Sequence, residues 1–264
     1  MGQGHDDRGG EAGTGTAVSK AYFVADLHLG ATYRDEGRET ERRAVEMLDR
    51  IGRDADEIYL LGDILDYWFE YKTVVPRGFV RFFGKLAELA DRGVRITWII
   101  GNHDIWIFDY LPRELGIEVA DGRVERDIMG TRFCLQHGDA TGGTRTFRAL
   151  RWAFRNRVLQ KLYSGIHPRW TVGFAYWWSG KSRKRGYEGE RSGEVGVEKY
   201  RDWVKKEMAE GNRAKYYVFG HLHLEHREPI ENAGREAELI VVPDWPGSGK
   251  VGVFDGRKYV MQHI

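Results

Sequence analysis

The spacing of apolar residues predicts alternating strands and helices over the first hundred residues. Residues 21–25, 58–61 and 94–100 are short apolar runs, the last rich in β-branched side chains, and such runs are typical of buried strands. Between them, apolar side chains recur at helical spacing, which predicts helices with one buried face: Ala44, Met47, Leu48 and Ile51, then Phe79, Phe82, Phe83 and Leu86. This order predicts a layered α/β domain.

Beyond residue 117 the pattern changes to short strands separated by tight turns. Asp121-Gly122 and Met129-Gly130 are turn sequences typical of antiparallel hairpins. Further apolar stretches predict strands near 215–219, 238–242, 250–254 and 258–262. We therefore expect a second sheet, so that two sheets lie between flanking helices.

A basic, tryptophan-rich segment interrupts this pattern. Residues 145–206 contain 16 Lys and Arg against five acidic residues and hold five of the nine tryptophans, whereas the whole chain carries a formal charge of only +1. One amphipathic helix is predicted here, with Phe147, Leu150, Phe154, Val158 and Leu162 along one side. Basic, aromatic and amphipathic features together favour contact with an anionic amphiphile or a membrane interface.

Composition restricts the remaining possibilities. The chain has 264 residues and one cysteine, Cys134, so it forms no internal disulfide, and a reducing, cytoplasmic setting is expected. The sequence contains no run of about 18 apolar residues, so no membrane span is predicted. Residues 1–18 are glycine-rich and predict a disordered tail, followed by one catalytic domain over 19–264 with an insertion at about 144–206.

Polar residues follow five of the predicted strands. The carboxyl ends of strands in an open α/β sheet lie at one edge, so these side chains are expected to meet there. They are Asp26 and His28; Asp63; Asn102, His103 and Asp104; His137; and His221 and His223.

This set suits a pair of divalent metal ions. Manganese, iron and zinc accept carboxylate, imidazole and amide-oxygen ligands, and a pair of ions about 3.5 to 4 Å apart needs one shared carboxylate and activates water for attack at phosphorus. Asp63 is predicted to be the shared ligand. The first ion is assigned to Asp26, His28, Asp63 and His223, and the second to Asp63, Asn102, His137 and His221.

The order Asp-x-His, Gly-Asp, Gly-Asn-His-Asp, His-Gly-Asp and Gly-His-x-His over residues 21–223 resembles the calcineurin-like metallophosphoesterase superfamily. Within it, four stretches resemble the UDP-2,3-diacylglucosamine diphosphatase family of lipid A biosynthesis. They are Asp26-Leu27-His28-Leu29-Gly30, Gly62-Asp63-Ile64-Leu65-Asp66-Tyr67-Trp68, Phe108-Asp109-Tyr110-Leu111-Pro112 and His167-Pro168-Arg169-Trp170.

The resemblance implies a four-layer αββα sandwich of two mixed β-sheets with a helical lid insertion. It further implies two divalent metal ions, for which manganese is expected first and iron or zinc are the alternatives. It also implies hydrolysis of the pyrophosphate of a UDP-linked glycolipid to UMP and 2,3-diacylglucosamine 1-phosphate. The expected setting is the inner face of the membrane, with peripheral association, no nucleic acid and no obligate protein partner.

Several further residues are assigned roles in this scheme. Some members of the family have arginine where this chain has His103, so its role is argued from its chemistry: it is predicted to assist the leaving oxygen or stabilise transition-state charge, with Asp104 orienting its ring. Arg148, Lys181 and Arg183 are predicted to meet phosphate, and Phe154 the acyl chains.

Other functions fit the same residues. A two-metal site fixes the reaction type and leaves the substrate open, so a phosphoprotein phosphatase, a cyclic-nucleotide phosphodiesterase or a nuclease are alternatives. A different class is a nucleic-acid-binding module that uses the basic insertion, with structural metals.

Overall fold

The computed structural model describes residues 19–31, 38–141, 145–171, 173 and 191–264. The predicted tail at 1–18, as well as Lys181 and Arg183, lies outside these residues, as do the side chains of residues 145–148, which include Arg148.

The strands are β1 (Lys20–Val24), β2 (Ala55–Leu60), β3 (Arg95–Ile99), β4 (Glu118–Ala120), β5 (Val124–Ile128), β6 (Thr131–Gln136), β7 (Tyr216–Phe219), β8 (His226–Asn232), β9 (Arg235–Val241), β10 (Lys250–Phe254) and β11 (Tyr259–His263). The helices are α1 (Arg38–Ile51), α2 (Val80–Asp91), α3 (Tyr110–Leu115), α4 (Arg145–Arg155), α5 (Arg157–Ser164), α6 (Arg191–Ala209) and α7 (Trp245–Ser248).

The strands form two mixed sheets. The first has the order β11-β10-β1-β2-β3-β4, in which β1 to β4 are parallel and β10 and β11 antiparallel. The second has the order β5-β6-β7-β9-β8, with β6, β7 and β9 parallel and an antiparallel strand at each edge.

Three apolar layers hold the sheets and helices together. The alternation of strand side chains is visible in β2 and the residue after it, since Ile58 and Leu60 pack beneath α1 and α2 whereas Tyr59 and Leu61 lie between the two sheets. On the outer face of the second sheet, Tyr200 and Val204 of α6 pack on that sheet. The order helix, sheet, sheet, helix confirms the predicted four-layer sandwich.

Four details differ from the sequence expectation. Strands β10 and β11 were expected in the second sheet but lie at one edge of the first, where β10 pairs antiparallel with β1. The Asp121-Gly122 turn was expected to close a hairpin, but it joins β4 of the first sheet to β5 of the second. The single amphipathic helix predicted through residues 147–162 is wrong, because Asn156 adopts an extended conformation and caps a new helix, its side chain accepting hydrogen bonds from the backbone N–H groups of Val158 and Leu159. Strand β8 was not expected. It lies at a sheet edge, is mostly polar, and contains Pro229, which suits an edge strand.

Candidate active site

The ligand-type side chains lie in loops that follow β1, β2, β3, β6 and β7, at the carboxyl ends of these strands. Five of these residues adopt left-handed backbone conformations that non-glycine residues rarely adopt. They are Asp26, His28, Asp63, His221 and His223, with φ between 46° and 70°. Such strain persists where the surrounding fold fixes it and is common at functional sites.

One group of side chains surrounds Nε2 of His137. Its Nδ1 lies 2.8 Å from the carbonyl oxygen of Leu61, which can only accept, so Nδ1 carries a hydrogen and Nε2 offers a lone pair once it is deprotonated. Nε2 is 3.1 Å from Oδ1 of Asn102, 3.2 Å from Nδ1 of His221 and 3.4 Å from Oδ2 of Asp63. This convergence of acceptor atoms fits a cation.

A second group consists of Asp26, His28 and His223. The Nε2 atoms of the two histidines are 3.2 Å apart, and Oδ1 of Asp26 lies 3.4 Å from Nε2 of His223. Oδ2 of Asp26 accepts a hydrogen bond from the backbone N–H of His221, whereas Oδ1 is buried without a well-formed hydrogen bond. A buried carboxylate oxygen facing two imidazoles again fits a metal ion.

Asp63 links the two groups. Asp63 belongs both to a set with His137 and His221 and to a set with His28 and His103, and the ligand atoms of each set all lie within 4.8 Å of one another. The structure thus brings together all seven residues predicted as ligands. Their division between two ions stays a prediction.

The charges of the site are strongly coupled. Burial opposes ionisation of Asp63, but the neighbouring His137, His103 and His28 hold the pKa of its carboxyl well below the usual range. Burial would also lower the pKa of His137, but the carboxylates of Asp63 and Asp26 outweigh it and raise that pKa to about 10. Burial and the charge of His137 lower the pKa of His221 to about 4. The carboxylates of Asp63 and Asp26 therefore favour a positive charge beside His137.

Metal affinity is expected to rise with pH. At neutral pH, without metal, His137 holds a proton on the nitrogen that would face the ion, so binding must release it. For one displaced proton, the affinity should increase by up to about tenfold per pH unit below the pKa of His137. Titration of metal-free protein with manganese at three pH values, in buffers of different ionisation enthalpy, measures both the affinity and the released proton. A constant affinity without proton release would contradict the assignment of His137.

His103 is oriented by a backbone carbonyl. Its Nδ1 lies 3.0 Å from the carbonyl oxygen of Asp66, so Nδ1 donates and Nε2 is the atom left for chemistry. Nε2 lies 3.9 Å from Oδ2 of Asp63, and the side chain is about one-sixth exposed. A proton on Nε2 can therefore reach a substrate held beside Asp63.

The expectation that Asp104 orients the ring of His103 is wrong. The buried carboxylate of Asp104 instead accepts hydrogen bonds from the backbone N–H groups of Gly101 and Ile64, at 2.7 and 3.0 Å, and from Nε1 of Trp98 at 3.1 Å. Burial, followed by the charge of Asp63, raises the pKa of Asp104 to about 6. Asp104 fixes the loops that carry Asp63 and Asn102.

Sequence reasoning did not find Tyr200 of α6. Its ring stacks on Phe219 with centroids 4.3 Å apart, and its buried hydroxyl makes no hydrogen bond within the described part of the chain. That hydroxyl occupies the space where a side chain at Gly138 would begin, next to His137. The sequence feature that could have revealed this contact is the helical spacing of Gly193, Gly196 and Tyr200. The two glycines allow α6 to approach Leu224 and Leu222 closely.

The sequence model of calcineurin-like phosphoesterases matches residues 19–225, most of the chain. The chain belongs to the calcineurin-like phosphoesterase family. Members of this family are hydrolases, and so is this chain. Its clustered carboxylate and imidazole groups would bind divalent metal ions.

Several proteins similar to this phosphoesterase carry the name UDP-2,3-diacylglucosamine hydrolase. One from Porphyromonas gingivalis is 38% identical over 260 residues, which cover 93% of this chain and 98% of the relative. Another from Pseudomonas aeruginosa is 27% identical and covers 86% of this chain and 91% of its own. A third, from Nitrosococcus oceani, is 23% identical, with coverage of 85% and 86%.

The helices inserted in this phosphoesterase are tied to the sandwich by charge. Arg151 donates a hydrogen bond of 2.9 Å to Asp139, and Arg155 binds the carboxylate of Asp121 through Nε and Nη2 at 2.7 to 3.1 Å. These two arginines therefore serve to position α4.

Phe154 anchors the same helix. Its ring contacts Trp106 edge-to-face at 5.4 Å, and its carbonyl oxygen accepts a 2.8 Å hydrogen bond from Nε1 of Trp106. Trp106 in turn stacks on Tyr163 of α5 at 5.1 Å. The predicted acyl-contact residue is thus partly buried in the phosphoesterase's own packing.

The insertion of this phosphoesterase also carries large exposed apolar side chains. Val158, Leu162 and Trp170 are 65 to 70% exposed, and Trp152 66%. Within the described residues, no helix has the length and apolar character needed to cross a bilayer. These exposed side chains can contact an apolar surface from one side.

Proposed function

We propose that this chain hydrolyses the pyrophosphate of UDP-2,3-diacylglucosamine to UMP and 2,3-diacylglucosamine 1-phosphate. The observation that carries the proposal is the 38% identity with the Porphyromonas gingivalis hydrolase over nearly the full length of both chains. That span includes the insertion as well as the site loops, so the likeness extends beyond the metal-binding motifs shared by phosphoesterases of many substrates.

We further propose that two manganese ions occupy the site, one held by Asp26, His28, Asp63 and His223. The other would be held by Asp63, Asn102, His137 and His221. The mixture of carboxylate, imidazole and amide oxygen also suits iron or zinc, and manganese is the first choice because of the family resemblance. When bound, such ions polarise phosphoryl oxygens and activate water.

The protein's own side chains complete the chemistry. His103, with Nδ1 bonded to the carbonyl of Asp66, presents Nε2 toward the space beside Asp63 and donates its proton to the leaving phosphate oxygen. Asp104 keeps the loop of Asn102 and His103 in place through its bonds to Gly101 and Ile64.

The lipid end of the substrate is assigned to the insertion. The rings of Trp106 and Tyr163, with Phe69 beside them at 4.8 to 5.3 Å, form an apolar floor under α4 and α5. We propose that acyl chains lie along the apolar side of the helices that stand on this floor, where Leu162 is exposed, and that Arg148, Lys181 and Arg183 meet phosphate. The exposed apolar side chains of the insertion favour peripheral attachment to the inner face of the membrane, in a cytoplasmic setting that suits the single buried cysteine.

The nucleic-acid alternative loses support from the ion pairs of α4. Arg151 and Arg155 belong to the basic insertion, but Asp139 and Asp121 already neutralise them. A nucleic-acid groove depends on arginines that are free to replace counterions.

The test is release of UMP from UDP-2,3-diacylglucosamine in the presence of manganese, with long and short acyl chains compared. Leu162→Asp is expected to lower kcat/KM for the long-chain substrate by about tenfold, the equivalent of roughly two buried methylene groups, and to leave the short-chain substrate unchanged. Leu162 is chosen over Phe154 because it is 65% exposed, so its replacement spares the core.

Ser164→Asp is the matched control, because it adds the same charge to α5 without removing an apolar side chain. If UMP is not released from either substrate while other phosphate esters are hydrolysed, the substrate assignment fails and the phosphatase, phosphodiesterase and nuclease alternatives take its place. Equal kcat/KM for long and short chains would rule out the acyl-binding role of the insertion.

A further inference from the structure

The loop between β2 and α2 covers an apolar cavity of about 440 Å³, within the range of about 300 to 1,000 Å³ that is usual for ligand sites. Its wall includes Trp68, Val75, Phe83 and Tyr110, with Arg77 and Val80 at the loop itself. Trp68 is fully buried, whereas Val80 is 77% exposed. The cavity therefore extends from the core toward an exposed apolar side chain. Residues 72–81, which comprise the end of this connection and the first two residues of α2, are together called the β2–α2 loop.

This loop carries three exposed cations: Lys72, Arg77 and Arg81. Across the described parts of the chain, no carboxylate lies within ion-pair distance of any of them. Cations further along the same region behave differently, since Lys85 pairs with Asp49 and Glu88, and Arg113 pairs with Asp109. The β2–α2 loop thus combines unneutralised positive charge with an apolar cavity.

The loop lies beside the insertion. Tyr71, directly before it, forms a hydrogen bond of 2.5 Å with Oγ1 of Thr171, and Phe69 packs on Tyr163 of α5 at 4.8 Å. The insertion, which carries the exposed Leu162, is therefore linked to residues 69–71, directly before the segment that carries the exposed Val74 and Val80. Both elements lie where β2 ends, on the side of the molecule that carries the active site.

We propose that the β2–α2 loop is a binding site for an anionic phospholipid of the membrane, separate from the catalytic site. One acyl chain enters the cavity over Trp68, and the lipid phosphate meets Arg77 and Arg81. A phospholipid supplies an apolar chain for the cavity and an anion for the arginines together, which matches both features of the loop. The proposal does not depend on which substrate the enzyme cleaves.

The positive charges of Arg77 and Arg81 should contribute most of the measurable affinity of the loop for an anionic membrane. Each Lys or Arg near an anionic bilayer contributes about a fivefold gain in membrane affinity, so Arg77→Ala with Arg81→Ala should lower the affinity by roughly thirtyfold. Neither substitution disturbs the capping of α2, because Glu41 binds the backbone N–H of Arg81 rather than its side chain. Arg257→Ala with Lys258→Ala is the matched control, since these two exposed cations lie at the turn between β10 and β11, at the opposite end of the first sheet.

The experiment is co-sedimentation of the full chain with vesicles of phosphatidylcholine alone or mixed with phosphatidylglycerol. We expect strong binding only to the mixed vesicles, the roughly thirtyfold loss for the Arg77/Arg81 variant, and no loss for the control pair. Hydrolysis of a short-chain substrate free in solution should be equal in all three proteins. Binding that is unchanged in the Arg77/Arg81 variant would overturn the proposal and leave membrane contact to the insertion alone.

A second measurement tests the cavity. Val80→Cys can be labelled with an environment-sensitive fluorophore without reaction at Cys134, because burial raises the pKa of that thiol to about 12. The emission should shift to the blue on mixed vesicles, whereas a label on Arg257→Cys should not respond. An unshifted Val80→Cys label on protein that is bound to vesicles would show that the loop meets only the headgroups and would overturn the cavity assignment.

Discussion

Asp63→Asn is expected to lower kcat by roughly a thousandfold or more, the scale on which loss of a whole catalytic component acts. Asparagine keeps the size of the side chain and can still accept the 2.8 Å hydrogen bond that the backbone N–H of His103 donates to Oδ1. It removes the negative charge that sits between the groups of His137 and His28. The loss should therefore come from metal binding and leave the loop intact.

Elemental analysis and circular dichroism separate these causes. The variant should contain fewer than two ions per chain and retain the native spectrum. Asp54→Asn is the control, a partly exposed carboxylate just before β2 that pairs with Lys20 far from the site. Near-normal turnover of Asp63→Asn with two ions still bound would disprove the shared-ligand assignment.

His103→Ala should lower kcat by about a hundredfold while the metal content stays at two ions, since a positioned proton donor is worth about that factor. The reason is the geometry of the ring, in which the carbonyl of Asp66 holds Nδ1 and leaves Nε2 for the substrate. His103→Arg should retain more activity than His103→Ala, because a cation at this position still stabilises the developing charge.

His103 also belongs to a set of possible ligands with His28 and Asp63, which gives the measurement a second outcome. Loss of an ion from His103→Ala would make His103 a ligand and overturn its assignment as a proton donor. His263→Ala, at an exposed histidine in β11, controls for general effects of the substitution.

The loops of the site were predictable because each combines a strong strand signal with a polar ligand type at the strand end. Asp26 and Asp63 follow apolar runs of the first sheet and His137 follows one of the second, and the parallel strands of each sheet bring such ends to one edge. The assignment of strands to sheets did not follow from these runs, since β10 and β11 were expected in the second sheet but pair beside β1 in the first. Strand β8 was not predicted because an edge strand needs few apolar residues, and nearly all side chains of β8 are polar.

Interactions between distant segments were not predictable from local patterns. The Gly-Asn-His-Asp sequence indicates that Asp104 follows His103, but only the fold shows that its carboxylate turns toward Gly101, Ile64 and Trp98. Likewise the helical period across residues 147–162 is continuous, and the interruption at Asn156 depends on a capping conformation that competes with the helix.

The packing of α6 against the site loops determines which part of the insertion could be exchanged between related proteins. Gly193 and Gly196 admit Leu224 and Leu222, neighbours of His221 and His223, and Tyr200 fills the space at Gly138. A chimaera that takes α4 and α5 from another hydrolase but retains the chain from Arg191 onward would keep both histidine loops supported. One that also replaced α6 would have to match those glycines and that tyrosine. Grafting experiments between species should therefore place the second junction before Arg191.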